Sequence, residues 1–531
     1  MRDGENRDRF FNRESLWIVY LLLAAIVLYT ANLGGLPLRD WDEGIVAGVA
    51  RNIWRAESGS QTWLYPTVNY GDPYWNKPPL IHGLIALSYK IFGISEWSTR
   101  LIPALLSASC VPLVYLIGRE VFPHLSTAIF SALVYLTLLP MARHGRVAML
   151  DGAIACWFCL GVWCLLRGRK NHSWLLGTGI ALGMICLTKG IMMGVLLGGI
   201  ITCFIAWDSP KLLRTPHLGT GMLLGLIPAI SWYVLQYLHY GAAFLGINLG
   251  SQTFNRIWSP ISTISAPPWY YLLEIAKYGL PWLIFLPYGL KIALRDRHLS
   301  WARLTLVWSV IYLLAISVMT SKLPWYVIPV YPALSLLIGV GLDQIWRKQH
   351  LSHFWQVSLS IISAVCWLAS GYYGLVQQVP QVDLAIILLV VALSFSIASV
   401  LLWQHNRHFM IVMIAGFYLA LLLLFNSSHW LWELNSDFAV KPVATVLQEN
   451  TPQQKIYTSY PVLRPSLEFY SDRTILPRSK AELQQIWQES APSYFLVDAN
   501  TISELNLKSP KILGHSGSWQ LVTQKIENID K

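Results

Sequence analysis

Apolar runs of about twenty residues recur along this 531-residue chain, and no other feature constrains its fold so strongly. In lipid, a backbone satisfies its polar groups only within helices or closed barrels. A run of about 20 apolar residues is the length of helix that crosses the hydrocarbon core. Such runs lie near 15–33, 97–118, 125–140, 150–167, 173–188, 190–207, 218–239, 272–292, 303–320, 325–345, 354–375, 383–403 and 409–427, thirteen in all. Hydrophobic residues make up 54% of the chain and charged residues only 13%, against about a quarter charged in ordinary soluble domains. The reading is an α-helical polytopic membrane protein of about 13 transmembrane helices, with the 25 Trp mostly serving as interface anchors. The first run, SLWIVYLLLAAIVLYTANL, lacks a small-residue cleavage site and reads as a retained span.

Charge gives a direction to these spans. Up to residue 432 there are 29 Lys+Arg against 17 Asp+Glu; from Glu433 onward there are 10 against 11. The basic excess therefore belongs to the membrane part, where it sets topology and meets anionic lipid; it does not point to nucleic acid. With a cytoplasmic N-terminus, 17 of those 29 basic residues fall on inner segments, and an odd number of spans puts the C-terminus outside. The expected division is a membrane domain over 1–432 and a soluble extracytoplasmic domain over 433–531. In the first, outer loop 34–96 carries helix-like pieces (EGIVAGVARNIWRA and PPLIHGLIALSYKIF) suited to the interface plane, and the polar outer loop 241–271 suits a mobile lid or substrate loop. In the second, KIYTSY, RTILP and SYFLVDA read as strands between helix-like stretches, a small α/β domain.

The seven Cys are scattered through apolar runs, so Cys156-x-x-Cys159 reads as a pair of small hydrophobes, with neither a disulfide framework nor a zinc ribbon. The polar residues are more informative. Asp42 and Glu43 follow the first span, with Asp40 read as a solvated loop residue. Lys77 precedes two prolines, and Arg143, Arg146 and Asp151 bracket the junction of spans three and four. Lys189 sits in LTKG, and Lys322 leads SKLPWYVIPVYP into span ten. Ionisable groups at membrane depth are costly and so mark functional sites by default. Cations and carboxylates gathered on one face fit a phosphate-bearing lipid: Lys and Arg hold the phosphate, and a carboxylate takes a proton from an acceptor.

The ordered set Asp42-Glu43, Lys77-Pro78-Pro79, Gly93-x-Ser95-Glu96-x-x-x-Arg100, Arg146-x-x-x-x-Asp151, Thr188-Lys189-Gly190 and SKLPWYVIPVYPAL (321–334) resembles the GT-C glycosyltransferases. The similarity covers about residues 15 to 345. It is strongest to the branch (glycosyltransferase family 39) that holds the lipid A aminoarabinose transferases and the protein O-mannosyltransferases. The resemblance implies extracytoplasmic transfer, with inversion, of a sugar from a polyprenyl-phosphate donor to a lipid, glycan or protein acceptor. It assigns Asp42 as the catalytic base and Asp151 as the second acidic position; Glu43, beside Asp42, is expected either to act in catalysis or to cap and orient the following helix. Lys77, Arg143, Arg146, Lys189, Lys322 and Tyr326 are expected to bind the donor phosphate. Three positions depart from the aminoarabinose transferases. Asn76 stands where they carry a metal-associated Glu, Ile45-Val46 replaces their Arg-Tyr, and SQTFNRI (251–257) lacks their His. No cofactor is therefore assigned: a divalent metal stays open, its usual ligand positions unmatched. The expected protein lies in the inner or plasma membrane. Within the enzyme class the alternative is a protein O-mannosyltransferase. Outside it, the alternative is a transporter or flippase of lipid-linked sugar, whose ionisable residues would lie near the midplane of repeated halves.

Overall fold

The computed structural model describes residues 2–57, 59–68, 71–259, 266–348, 352–431, 438–452, 455–488, 493–505, 507 and 510–524, with side chains from Glu14 onward. Residues 260–265 of the expected lid and the expected domain boundary at 432/433 lie outside the described residues. The chain divides into two compact units. One comprises Met1–Leu33, Trp75–Ile81 and Arg100–Trp430; the other comprises Gly34–Tyr74, His82–Thr99 and Leu431–Lys531.

The first unit is helical. Among the described residues nine helices of the chain are long and apolar enough to cross a membrane, and Glu14–Thr30, Leu80–Phe92 and Leu125–Thr137 are shorter apolar helices. In their most apolar 18-residue windows, 94% of the Pro324–Arg347 residues and 78% of the Asp151–Gly168 residues are buried, whereas only 17% are in His353–Val376, which turns its apolar surface outward as a lipid-facing helix does. The expected span 272–292 is broken. It forms Tyr270–Tyr278, a 3-10 turn at Trp282–Phe285 and Leu286–Arg295. Pro281, with no N–H to donate, stands at the break.

Where helices touch most closely, small residues make it possible. A Cβ on Gly183 would lie 1.9 Å from the Gly225 carbonyl oxygen, and one on Gly179 would lie 2.1 Å from the Gly221 carbonyl carbon. Helices Leu175–Lys189 and Pro216–Tyr240 therefore meet backbone to backbone through two G-x-x-x-G stretches. Serines join another pair: Ser363 and Ser396 Oγ are 2.7 Å apart, as are Ser360 and Ser399 at 2.6 Å, between helices His353–Gly371 and Val382–Trp403.

The second unit holds the α/β fold. A two-residue ladder, β1 (Thr67–Val68) with β2 (Asp72–Pro73), lies in the loop after the first apolar helix. In the C-terminal segment β3 (Lys455–Thr458) pairs in parallel with β4 (Thr474–Pro477) and β5 (Tyr494–Asp498). The hairpin β6 (Pro510–Ser516) and β7 (Trp519–Gln524) joins antiparallel to β5, giving the order β4-β3-β5-β7-β6. One apolar cluster gathers Val443, Leu447, Ile456, Leu496 and Leu521, and a second gathers Leu483, Trp487, Phe495, Val497 and Val522. Alternate residues of β5 and β7 thus feed opposite clusters, as period-two strands covered on both faces do. The loop helix Asp42–Arg55 belongs to this unit as well, with Ala47 packed against Phe469.

Candidate functional site

The acidic loop is held from within. Trp41 has φ 62° and ψ −94°, a conformation rare and strained outside glycine, and Asp42 opens the helix that follows. Glu43 is fully buried, and its Oε2 accepts a hydrogen bond from the Arg39 amide at 2.9 Å. Asp42 instead keeps 37% of its side chain exposed while pairing with the Arg39 guanidinium at 3.2 Å. Of Asp42 and Glu43, two of the three carboxylates expected to be catalytic, Asp42 is the one a solute can reach, and Glu43 shapes the turn. Asp40 is no solvated loop residue. Its carboxylate pairs with Arg464 at 2.8 Å, because residue 464, distant in sequence, folds into the same unit.

In the helical unit, a cavity of about 200 Å³ is lined by Lys77, Lys189, Gln252, Arg256, Tyr312 and Tyr326, with Met192, Met193, Leu196 and Met319 among its apolar walls. Lys189 ends its helix because Gly190, at φ 105°, turns the chain into the left-handed region that glycine tolerates. Its Nζ lies 2.5 Å from Asp151 Oδ1 and 5.1 Å from the Tyr326 ring centroid. Both members of the ion pair are shielded, with side chains 12% and 5% exposed. A buried relay fixes the two lysines' backbones. The Ile191 amide donates to Tyr233 Oη, Tyr233 donates to Asn248 Oδ1 at 3.1 Å, and Asn248 Nδ2 donates to the Trp75 carbonyl at 2.7 Å.

Arg256 is the residue that motif reading passed over. Its guanidinium donates to Tyr326 Oη at 3.0 Å and to the side-chain amide oxygen Oε1 of Gln252. Its backbone is pinned to the start of the SKLPWY stretch. Thr320 N donates to the Ile257 carbonyl at 2.9 Å, and Ser321 N donates to the Arg256 carbonyl at 3.2 Å. The described part of loop 241–271 is thus no irregular connector, but a run of short helical turns over Ala242–Trp258 that carries a cation to the cavity.

Three expected phosphate ligands point elsewhere. Arg143 Nε donates to the Trp430 carbonyl at 2.8 Å. Arg146, fully buried, donates to the carbonyls of Leu28 and Ala31 and lies over the rings of Phe425 and Trp430 at 4.0 and 4.5 Å. Lys322 Nζ donates to the carbonyls of Ile316, Ser317 and Met319, groups left open at the end of helix Ser300–Val318. None of the three lines the cavity. The sequence left a divalent metal open, with its usual ligand positions unmatched. Asn76 offers no carboxylate, and no cluster of three His, Cys, Asp or Glu able to hold an ion occurs among the described residues.

Against solved structures, the chain superposes on ArnT from Cupriavidus metallidurans bound to undecaprenyl phosphate, with a TM-score of 0.80 at 22% identity over 96% of this chain and 98% of that one. The chain has the GT-C fold. Within that fold, residues 76–234 match the family model described as dolichyl-phosphate-mannose-protein mannosyltransferase. An Aquifex aeolicus protein described as uncharacterized is 28% identical over 66% of this chain and 68% of its own length. A Pseudomonas fluorescens protein, named undecaprenyl phosphate-alpha-4-amino-4-deoxy-L-arabinose arabinosyl transferase 1, is 27% identical over 51% of this chain. The match spans only half of that transferase's length.

Proposed function

We propose that this chain is a multi-pass membrane glycosyltransferase that moves a sugar from a polyprenyl-phosphate donor to an acceptor on the extracytoplasmic side. The observation that carries this reading is the cavity of Lys77, Lys189 and Arg256, whose cations share one small space with methionine and leucine walls. A phosphate attached to an apolar chain is the chemistry that suits both halves of such a lining. The names of the relatives, which join undecaprenyl phosphate to an aminopentose, support the same donor class.

In the proposed reaction an acceptor oxygen attacks the anomeric carbon on the face opposite the phosphate, so the configuration inverts. Asp42 takes the acceptor proton as the new C–O bond forms. The bond from the anomeric carbon to the phosphate oxygen breaks, and its electron pair leaves on polyprenyl phosphate. The charge that grows on this phosphate is met by Lys77, Lys189 and Arg256, which makes a separate acid unnecessary. Asp151 holds Lys189 in place between turnovers. The names of the relatives specify an aminopentose donor and no acceptor; beside a lipid acceptor, the match of residues 76–234 to a protein mannosyltransferase model supports a protein hydroxyl as the second reading.

The test uses purified protein in vesicles that carry undecaprenyl phosphate-linked 4-amino-4-deoxy-L-arabinose with total envelope lipids as acceptor. Transfer releases undecaprenyl phosphate and adds the sugar mass to an acceptor. Movement of intact donor between leaflets without such release would mean transport, and the enzyme reading would fall.

A further inference from the structure

Arg464 is buried, and its guanidinium donates to the Phe438 carbonyl at 3.5 Å. It pairs with Asp40 Oδ2 at 2.8 Å, lies over the Phe438 ring at 3.7 Å and faces the Tyr460 ring at 5.7 Å. The other Asp40 oxygen accepts from the amide and hydroxyl of Ser466. Asp40 is therefore fixed at both oxygens by the C-terminal segment. One residue on, Trp41 adopts its strained φ of 62°, and one residue further is Asp42. A non-glycine residue in that conformation costs on the order of 1–3 kcal/mol and persists only where its surroundings over-determine it. Arg464 and Ser466 supply that constraint on one side; the Arg39 contacts to Asp42 and Glu43 supply it on the other.

Neighbouring contacts seat the same segment. Tyr470 Oη receives the Leu38 amide at 2.7 Å and donates to Glu96, Arg51 donates to the Phe469 carbonyl, and Arg55 grips Asp472 through two nitrogens. A Cβ on Gly44 would lie 2.5 Å from the Ser466 nitrogen, so only glycine lets the Asp42 helix approach this closely. We propose that Arg464 is a positioning residue, which through Asp40 holds the Trp41 turn and so aims the Asp42 carboxylate. This gives the C-terminal α/β segment a part in catalysis. The inference rests on the reading of Asp42 as the base.

The test compares wild type, Arg464→Met and Leu496→Ala in nanodiscs. Leu496→Ala removes a core side chain of the same unit and sets the effect of simple destabilisation. Hydrogen exchange is followed in peptides covering 38–46, whose Gly44 and Ile45 amides donate to the Arg39 and Trp41 carbonyls. Arg464→Met is expected to speed exchange there by at least about tenfold beyond the Leu496→Ala control, with peptides covering 47–55 unchanged relative to it. In the vesicle assay kcat is expected to fall by at least about tenfold, while KM for the donor stays within about twofold. Unchanged exchange at 38–46, or a loss of kcat that the control reproduces, would overturn the proposal. Asp42→Asn run in parallel separates the two readings. If that variant turns over like wild type, the base assignment fails, while the exchange result still decides whether Arg464 holds the loop.

Discussion

Lys189 and Asp151 are shielded together, so neither can be altered alone without stranding the other's charge. Lys189→Met is expected to cost about 3–5 kcal/mol of stability in thermal unfolding, because a buried carboxylate loses its partner. Adding Asp151→Asn to it is expected to restore most of that loss without restoring turnover. Recovery of turnover in the double variant would remove Lys189 from the phosphate site. Asp42→Asn should behave in the opposite way, with the melting temperature nearly kept and turnover down by about 100-fold or more, since Asp42 is exposed enough to serve an acceptor. Lys77, Lys189 and Tyr326, which line one cavity, each stand in a short motif. Arg146 and Lys322 stand in motifs too, yet their hydrogens go to main-chain carbonyls. A cation at membrane depth announces its cost in the sequence, but does not say whether a phosphate or a helix end will satisfy it. Arg256 gave no such signal, because its place depends on backbone bonds to Thr320 and Ser321.

Helices Leu175–Lys189 and Pro216–Tyr240 cannot accept larger side chains where their glycines meet. Gly183→Val is expected to force the two backbones apart and lower stability by at least about 1–3 kcal/mol, measurable as a lower melting temperature of the detergent-solubilised protein. An unchanged melting temperature would mean that the helices do not cross there. The spacing of Gly179, Gly183, Gly221 and Gly225 carried this information in the sequence; which pair of helices it joins did not follow from it. In the other unit, the helix Pro465–Ser471 carries Glu468, whose carboxyl is pushed up from 4.5 to about 7. Burial is the chief cause, with Asp72 adding to it and the Ile475 amide and Arg51 opposing it. The folded unit therefore keeps this proton while the unfolded chain has released it. Stability is fullest below the unfolded value of 4.5, falls as pH rises toward 7 and levels off above, by up to about 3 kcal/mol. Glu468→Gln is expected to flatten that pH dependence, read as the melting temperature against pH; an identical slope in the variant would contradict the assignment.

Over the whole molecule, the helical part was readable because the bilayer leaves a chain few choices: apolar runs long enough to span become helices. The grouping of loop 34–74 with the C-terminal sheet was not readable. Asp40 and Arg464 stand 424 positions apart, and no periodicity links a surface arginine to one particular aspartate. The β6–β7 hairpin was equally silent, since Pro510–Ser516 is exposed along much of its length and lacks an alternating apolar pattern. On the proposed topology the C-terminal segment faces outward. Ser518→Cys, at the exposed turn of that hairpin, is expected to react with a membrane-impermeant maleimide added to spheroplasts; reaction only after lysis would reverse the orientation. The account's central claim is that Lys77, Lys189 and Arg256 receive the phosphate of a polyprenyl lipid. Titrating undecaprenyl phosphate against the purified protein and against Arg256→Gln, with intrinsic Trp fluorescence as the readout, tests it most directly. The account predicts saturable binding by wild type and at least about tenfold weaker binding by the variant, as expected for the loss of a charge-assisted contact. Equal affinities for the two proteins would contradict it.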